Sequence, residues 1–369
     1  MMAYGLKNYC CIALLFNVLL IAESCKKKSA PVLAPAATLQ STAPFKVGAA
    51  VVAGLLQSNY AYQGVMVTEY NSVTTGNDLK FNAIEPQQGV FDYTGGDYII
   101  AFAQQHHMRV HAHNLIWNQA LPDWVLNFRG DSTAWESLFK THIQSEVAHY
   151  RGQVASWDVV NEAIRDDNGA LRNLDLTPGD GTGSIWYQHL GPGYIARAFQ
   201  YAHLADPNAL LFYNDSGDEW PGSLKLDSIL ALVTRLQAQG VPINGIGMEM
   251  HIDIVNTVNA DITSAMQRLA ATGLKIHVSE LDIAANPNNN PTMVYTNSIQ
   301  SVQAAKYQFV AQTYRATVPA GQQYGITTWD VGDADSWIPV YYNRKDWPTP
   351  FDSVYKKKKA YYGYLTGLK

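Results

Sequence analysis

Eight short apolar runs, most of them followed by a stretch of helical periodicity, constrain this chain more than any other feature. They are "FKVGAAV" from Phe45, "YNSVT" from Tyr70, "MRVHAHNLIW" from Met108, "VASWDVV" from Val154, "ALLFYND" from Ala209, "GIGMEMHI" from Gly245, "LKIHVSELDI" from Leu274 and "GITTWDV" from Gly325. The intervening patterns "GGDYIIAFAQQHH", "SLFKTHIQSEVAHYRG", "LDSILALVTRLQAQG" and "ADITSAMQRLAATG" place apolar residues on one helical face. The last two close on Gly240 and Gly273, which suit helix C-caps. Strand-then-helix units repeated about eight times predict an α/β fold, a (β/α)8 TIM barrel in one catalytic domain. A doubly wound open sheet is the rival. It normally carries a glycine-rich phosphate loop after its first strand, and "GAAVVAGLL" offers none.

A barrel gathers its chemistry where its strands end. Here those ends carry Asn77 and Lys80; His113 and Trp117; Asn161 and Glu162; Tyr213 to Asp215; Glu249 and His251; Glu280 and Asp282; and Trp329. Glu162 closes "WDVVNEA" and Glu280 sits in "SELDI". Two carboxyls facing each other across one mouth suit glycosidic bond cleavage, one protonating the leaving oxygen and the other attacking carbon or activating water. Trp117, Trp329 and Trp337 add flat apolar faces of the kind on which sugar rings stack. A lone strand-end glutamate is more often a cap or a salt-bridge partner, so the weight rests on the pair. Trp337 can equally be read as packing. His106 and His107 are adjacent on a helix and point apart, which suits a surface better than a metal.

Charge and cysteines exclude other classes. A formal net charge of −5 leaves no polycation for nucleic acid. The one basic run, Lys356 to Lys359, reads as a solvated helix face. Cys10, Cys11 and Cys25 all lie near the N-terminus, so the body can form neither a disulfide nor a cysteine zinc site. No metal or cofactor is expected.

The N-terminus reads as a targeting segment. Lys7 precedes the apolar "YCCIALLFNVLLIA", which is short for a bilayer span. Residues 1–24 are expected to be a signal peptide, with Cys25 resembling the lipidated cysteine of bacterial lipoproteins; ordinary signal cleavage is the alternative. The Ser/Ala/Pro-rich residues 25–43 read as a flexible tether, and 44–369 as the catalytic domain. The expected location is the bacterial cell envelope, periplasmic or surface-facing, with membrane contact only through the lipid, as a monomer.

Taken together, these motifs resemble glycoside hydrolase family 10, the retaining endo-β-1,4-xylanases. "WDVVNEA", "SELDI", "FNAIEPQQGVFDY", "GVPINGIGMEMHI" and "TWDVGDADSWI" carry the likeness from about Phe45 to the C-terminus. The resemblance implies hydrolysis of internal xylan bonds by double displacement, with Glu162 as acid/base, Glu280 as nucleophile and carboxyls about 5–5.5 Å apart. It implies that Asn161 bonds the sugar 2-hydroxyl, that His251 supports the nucleophile and that Asp282 orients His251. Asn77, Lys80, His113 and Trp117 would bind the non-reducing-side sugar, and Trp329 and Trp337 would wall the cleft. The chain departs from the family's pattern at Gly76 (usually Glu), Phe81 (Trp), Asn118 (His), Ala120 (Gln), Ser216 (Tyr) and Glu249 (Gln). None of these removes a catalytic carboxyl. Most touch sugar subsites, and restoring Glu at position 76 is expected to strengthen binding of longer xylo-oligosaccharides. Another β-linked glycan or glycoside is the alternative substrate. A carbohydrate-binding surface protein without turnover is the alternative class.

Overall fold

The computed structural model describes residues 36–173, 183–220 and 224–369. All eight expected strand regions are present. They form nine strands, the run from Gly245 supplying two: β1 (Lys46–Ala50), β2 (Ser72–Thr74), β3 (Arg109–Ala112), β4 (Ser156–Asn161), β5 (Leu210–Asp215), β6 (Gly245–Met248), β7 (His251–Asp253), β8 (Lys275–Ala284) and β9 (Gln323–Thr328). The sheet runs β6-β5-β4-β3-β2-β1-β9-β8-β7 and closes through a β6–β8 pairing. β6 lies along Lys275–Val278 and β7 along Asp282–Ala284, all parallel, so the two form one barrel strand interrupted at Glu249 and Met250. That makes eight staves. The strands are buried almost throughout, β4 at every position. This is what strands covered on both faces require, and why they read as continuous apolar runs.

Helices fill the expected gaps at Thr94–Gln105, Ser132–His149, Leu224–Ala238 and Asn259–Ala270. Gly240 and Gly273 adopt φ of 67° and 78° in the turns that follow the last two. The long helix Asn297–Thr317 packs against the final helix Lys359–Gly367. Their close approach needs glycine: a Cβ on Gly363 would stand 2.0 Å from the Ala304 carbonyl oxygen.

Two expectations are corrected. Residues 37–43 are part of the body, not of a tether. Thr38 caps a short helix, Leu39–Thr42; Leu39 is fully buried, and its N–H donates to Glu69 Oε2 at 3.1 Å. The lysine run is not a solvated helix face. Lys357 pairs with Glu69 at 2.7 Å, and Lys358 donates to both Asp333 oxygens at 2.9 Å and to the Trp347 and Thr349 carbonyls at 2.7 Å. These lysines pin the C-terminal segment before its helix begins.

Candidate active site

The C-terminal ends of β4, β5, β6 and β8 deliver a carboxyl cluster, and local backbone irregularities aim it. The β4–β5 register shifts between Asp158 and Val160. Glu162 follows with φ of 50°, its N–H donating to the Asn214 carbonyl at 2.9 Å. Met250, at φ 65°, breaks the sixth stave directly after Glu249. The β8–β9 register shifts between Val278 and Leu281, around Glu280. Bulges of this kind re-aim side chains beside active sites. Positive φ at non-glycine residues costs about 1–3 kcal/mol each and concentrates at such sites.

Asn214 on β5 holds the cluster together. Its Nδ2 lies 2.8 Å from Glu280 Oε1, 2.8 Å from Asn161 Oδ1 and 3.0 Å from Glu249 Oε1, so its two hydrogens are shared among three acceptors. Ser279 Oγ donates to its Oδ1 at 2.6 Å. Asn161 Nδ2 in turn reaches Glu162 Oε1 at 3.3 Å. The neighbouring stave makes room, since a Cβ on Gly247 would lie 1.9 Å from Asn214 Oδ1.

A second chain supports Glu280 from the other side. His251 Nε2 lies 3.2 Å from Glu280 Oε2, and His251 Nδ1 lies 2.9 Å from Asp282 Oδ2. Trp337 Nε1 donates to that same Asp282 oxygen at 2.8 Å, so Trp337 orients the pair as well as standing beside it. His113 Nδ1 meets Asp158 Oδ2 at 2.9 Å and lies 3.8 Å from Glu280 Oε1. Lys80 Nζ sits 4.8 Å from the Trp117 ring and 5.8 Å from the Trp329 ring. Asn77 is set apart: it is exposed in the turn after β2, and among the described residues its side chain makes no hydrogen bond to this cluster. Phe81 is buried and stacks on His142 with ring centroids 3.4 Å apart.

The carboxyls are tuned apart. Burial pushes Glu162 up, and the neighbouring Asp215 and Glu280 charges add to this against Lys225. Burial would raise Glu280 too, but His113 and the His251 hydrogen bond bring it below the ordinary carboxylate range. Glu249 is pushed well up by burial and then by Glu280 and Glu162. Burial would lower His251, yet Asp282 and Glu280 grip its proton and raise it well above an ordinary imidazole. Burial lowers Lys80, against the pull of the carboxylates.

Sequence reasoning missed Asn214 as the hub, Asp158 as the partner of His113, and the Asp215–Lys225 pair at 2.8 Å that faces Glu162. It also expected no metal constellation. The fold brings donor atoms of Glu249, His251 and Glu280 within 4.8 Å of one another. Two of these residues are neighbours across an interrupted stave and the third comes from the adjacent strand, a proximity that linear spacing does not reveal. Cys25 lies outside the described residues.

A closed parallel barrel whose C-terminal mouth holds one raised and one lowered carboxyl is a barrel equipped for paired acid and nucleophile chemistry. The chain belongs to glycosyl hydrolase family 10, whose model matches residues 36–366. It is 36% identical over 358 residues to endo-1,4-beta-xylanase A of Cellvibrio japonicus, covering 89% of this chain and 56% of that protein. It is 35% identical over 301 residues to endo-1,4-beta-xylanase D of Talaromyces funiculosus, covering 81% and 69%. A solved structure of xylanase10C from Cellvibrio japonicus in complex with xylopentaose superposes with a TM-score of 0.84 at 32% identity, covering 90% of this chain and 69% of that one. The chain spans a little over half the length of the Cellvibrio japonicus xylanase A it matches.

Proposed function

We propose that this chain hydrolyses internal β-1,4-xylosidic bonds of xylan with retention of anomeric configuration. The observation that carries the reading is the opposite tuning of Glu162 and Glu280 at one mouth. Glu280, ionised, attacks the anomeric carbon and forms a glycosyl ester as the glycosidic C–O bond breaks. Glu162, protonated, gives its proton to the departing oxygen. Water then attacks the same carbon, Glu162 takes the water's proton, and the Glu280 carboxylate leaves. His251, held by Asp282 and Trp337, keeps Glu280 ionised. Asn161 is poised to bond the 2-hydroxyl. Lys80, with the Trp117 and Trp329 faces, provides polar and stacking contacts for the sugar. The xylanase names of the relatives support the substrate.

The test is a reducing-sugar assay on xylan and several β-glucans, with proton NMR of the first product. Fastest release from xylan with β-anomer first is expected. Initial α-product would overturn retention, and binding without turnover on every glycan would favour a carbohydrate-binding protein. We also propose that Cys25 carries a lipid anchoring a monomeric enzyme in the cell envelope. Cys25→Ser should then release the protein from the membrane fraction, and mass spectrometry finding an unmodified N-terminus other than Cys25 would exclude it.

A further inference from the structure

The mouth carries a second arrangement that shares Glu280 and His251 with glycosidic cleavage and adds Glu249 to them. Asn214 ties Oε1 of both Glu249 and Glu280 through one amide group, which turns each Oε2 toward His251. His251 Nε2 stands 3.6 Å from Glu249 Oε2 and 3.2 Å from Glu280 Oε2. Ligands at ordinary zinc bond lengths on a tetrahedron stand about 3.4 Å apart. The other imidazole nitrogen is committed to Asp282 at 2.9 Å, and Asp282 is itself fixed by Trp337. A carboxylate behind a ligating histidine fixes the tautomer and directs the free nitrogen at the ion. Both carboxyls are nearly enclosed, with Glu249 2% and Glu280 5% exposed, while His251 is partly open to the cleft. The site therefore has three converging donors, an orienting carboxylate and an approach from solvent.

We propose that Glu249, His251 and Glu280 form a binding site for a divalent transition-metal ion, and that occupation is inhibitory. One imidazole with two carboxylates suits zinc-like ions better than magnesium, which favours all-oxygen shells. The ion would coordinate Glu280 Oε2 in place of the His251 hydrogen bond and withdraw that carboxylate from attack. The ion and a sugar in the mouth would compete. Glu249 is the residue that distinguishes this chain here, because an amide at that position supplies no anionic oxygen to the ion.

Binding is measured without substrate, so its failure is separable from failure of the xylan reading. Titration of the full chain with zinc should show one ion per chain, and cobalt should give the visible bands of tetrahedral coordination. Glu249→Gln and His251→Gln should each weaken binding by more than about tenfold, and Asp282→Asn by about 10–100-fold. Thermal melts establish that each variant is folded. If a variant does not fold, anomalous diffraction at the zinc edge from the wild-type protein decides the matter by locating the ion. An ion bonded to all three side chains supports the site. Equal affinity in folded Glu249→Gln and His251→Gln, an ion located elsewhere, or no binding at millimolar zinc overturns it.

Discussion

The two mouths of the barrel hold polar groups in opposite ways. The N-terminal mouth is a shallow depression of about 490 Å³ lined by Lys46, Arg109, Lys275 and Tyr324 among others. Its charges are cations, and ordinary partners satisfy much of their need. Arg109 donates to the Tyr324 carbonyl at 2.6 Å and to Ser72 Oγ at 3.1 Å, and its guanidinium lies 3.7 Å from the Tyr324 ring. Just inside, His277 is held neutral by burial and by the neighbouring His111 and Arg109, and bonds Thr327 at 2.8 Å. The C-terminal mouth instead crowds Glu162, Glu249 and Glu280 around a few shared donors. The depression at the quiet mouth teaches that concavity alone does not mark chemistry. Carboxyls with unlike proton affinities converging on one point do. Burying like charges together destabilises a fold, so the same sequence that settles one end of the barrel leaves the other frustrated.

The comparison breaks most sharply at Glu280. Glu280→Gln should lower turnover on xylan by several orders of magnitude while xylo-oligosaccharide binding persists. Lys275→Ala at the other mouth should leave turnover near wild type. Steady-state kinetics beside calorimetric binding read both, and comparable losses from the two variants would erase the distinction. Glu162→Ala comes next. Loss of general acid catalysis should cost about 10²–10⁴-fold on xylan. On aryl xylosides with good leaving groups the first step needs little protonation, so the loss there should be much smaller. Equal losses on the two substrates would remove Glu162 from the acid role.

The barrel was legible because strands buried on both faces leave unbroken apolar runs, and helices lying on them leave amphipathic ones. Glu162, Glu280, His251 and Asp282 were legible because they close such runs. What escaped depends on three-dimensional detail. "GIGMEMHI" keeps its pattern straight through Glu249 and Met250, so nothing announces the positive φ that splits the stave. Asn214 reads as an ordinary turn residue in "YND"; the only trace of its inward role is Gly247 on the neighbouring stave. The helix at Leu39 was hidden inside a Ser/Ala/Pro-rich stretch, because four residues are too few to show a period. Lys357 and Lys358 looked solvated because their partners, Glu69 and Asp333, are distant in sequence.

Position 76 tests how far the active mouth can be restored toward the family's pattern. The expectation that Gly76→Glu would strengthen binding conflicts with the local geometry. A Cβ there would lie 2.7 Å from the Val51 carbonyl oxygen, a backbone atom that cannot swing aside. Gly76→Glu should therefore cost about 1–3 kcal/mol of stability, as overpacking does. A lowered melting temperature with no gain in xylo-oligosaccharide affinity is the expected outcome. An unchanged melt with tighter binding would show that the β1 and β2 ends separate easily.

The smallest effect, and the most discriminating, is expected at Glu249. Burial, Glu280 and Glu162 all push its proton affinity up, whereas His113 and His251 bring that of Glu280 down. Coupling of this kind is mutual: once Glu249 ionises, its charge makes Glu162 hold its own proton more tightly. The sign for activity follows. The wild type keeps Glu162 protonated to higher pH than it could beside a neutral neighbour. Gln at 249 never becomes negative, so Glu249→Gln should move the alkaline limb of the pH–rate profile to lower pH, by less than about one unit. The sign for stability is separate. A carboxyl whose folded pKa is raised stabilises the fold fully below its unfolded pKa, and that contribution is lost as pH rises through the folded value. The variant should therefore lose less stability than wild type between mildly acidic and alkaline pH. Profiles on one xylo-oligosaccharide and melts across the same range measure both. Superimposable curves would mean that the three carboxyls titrate independently, and that the crowding of this mouth is geometric without being electrostatic.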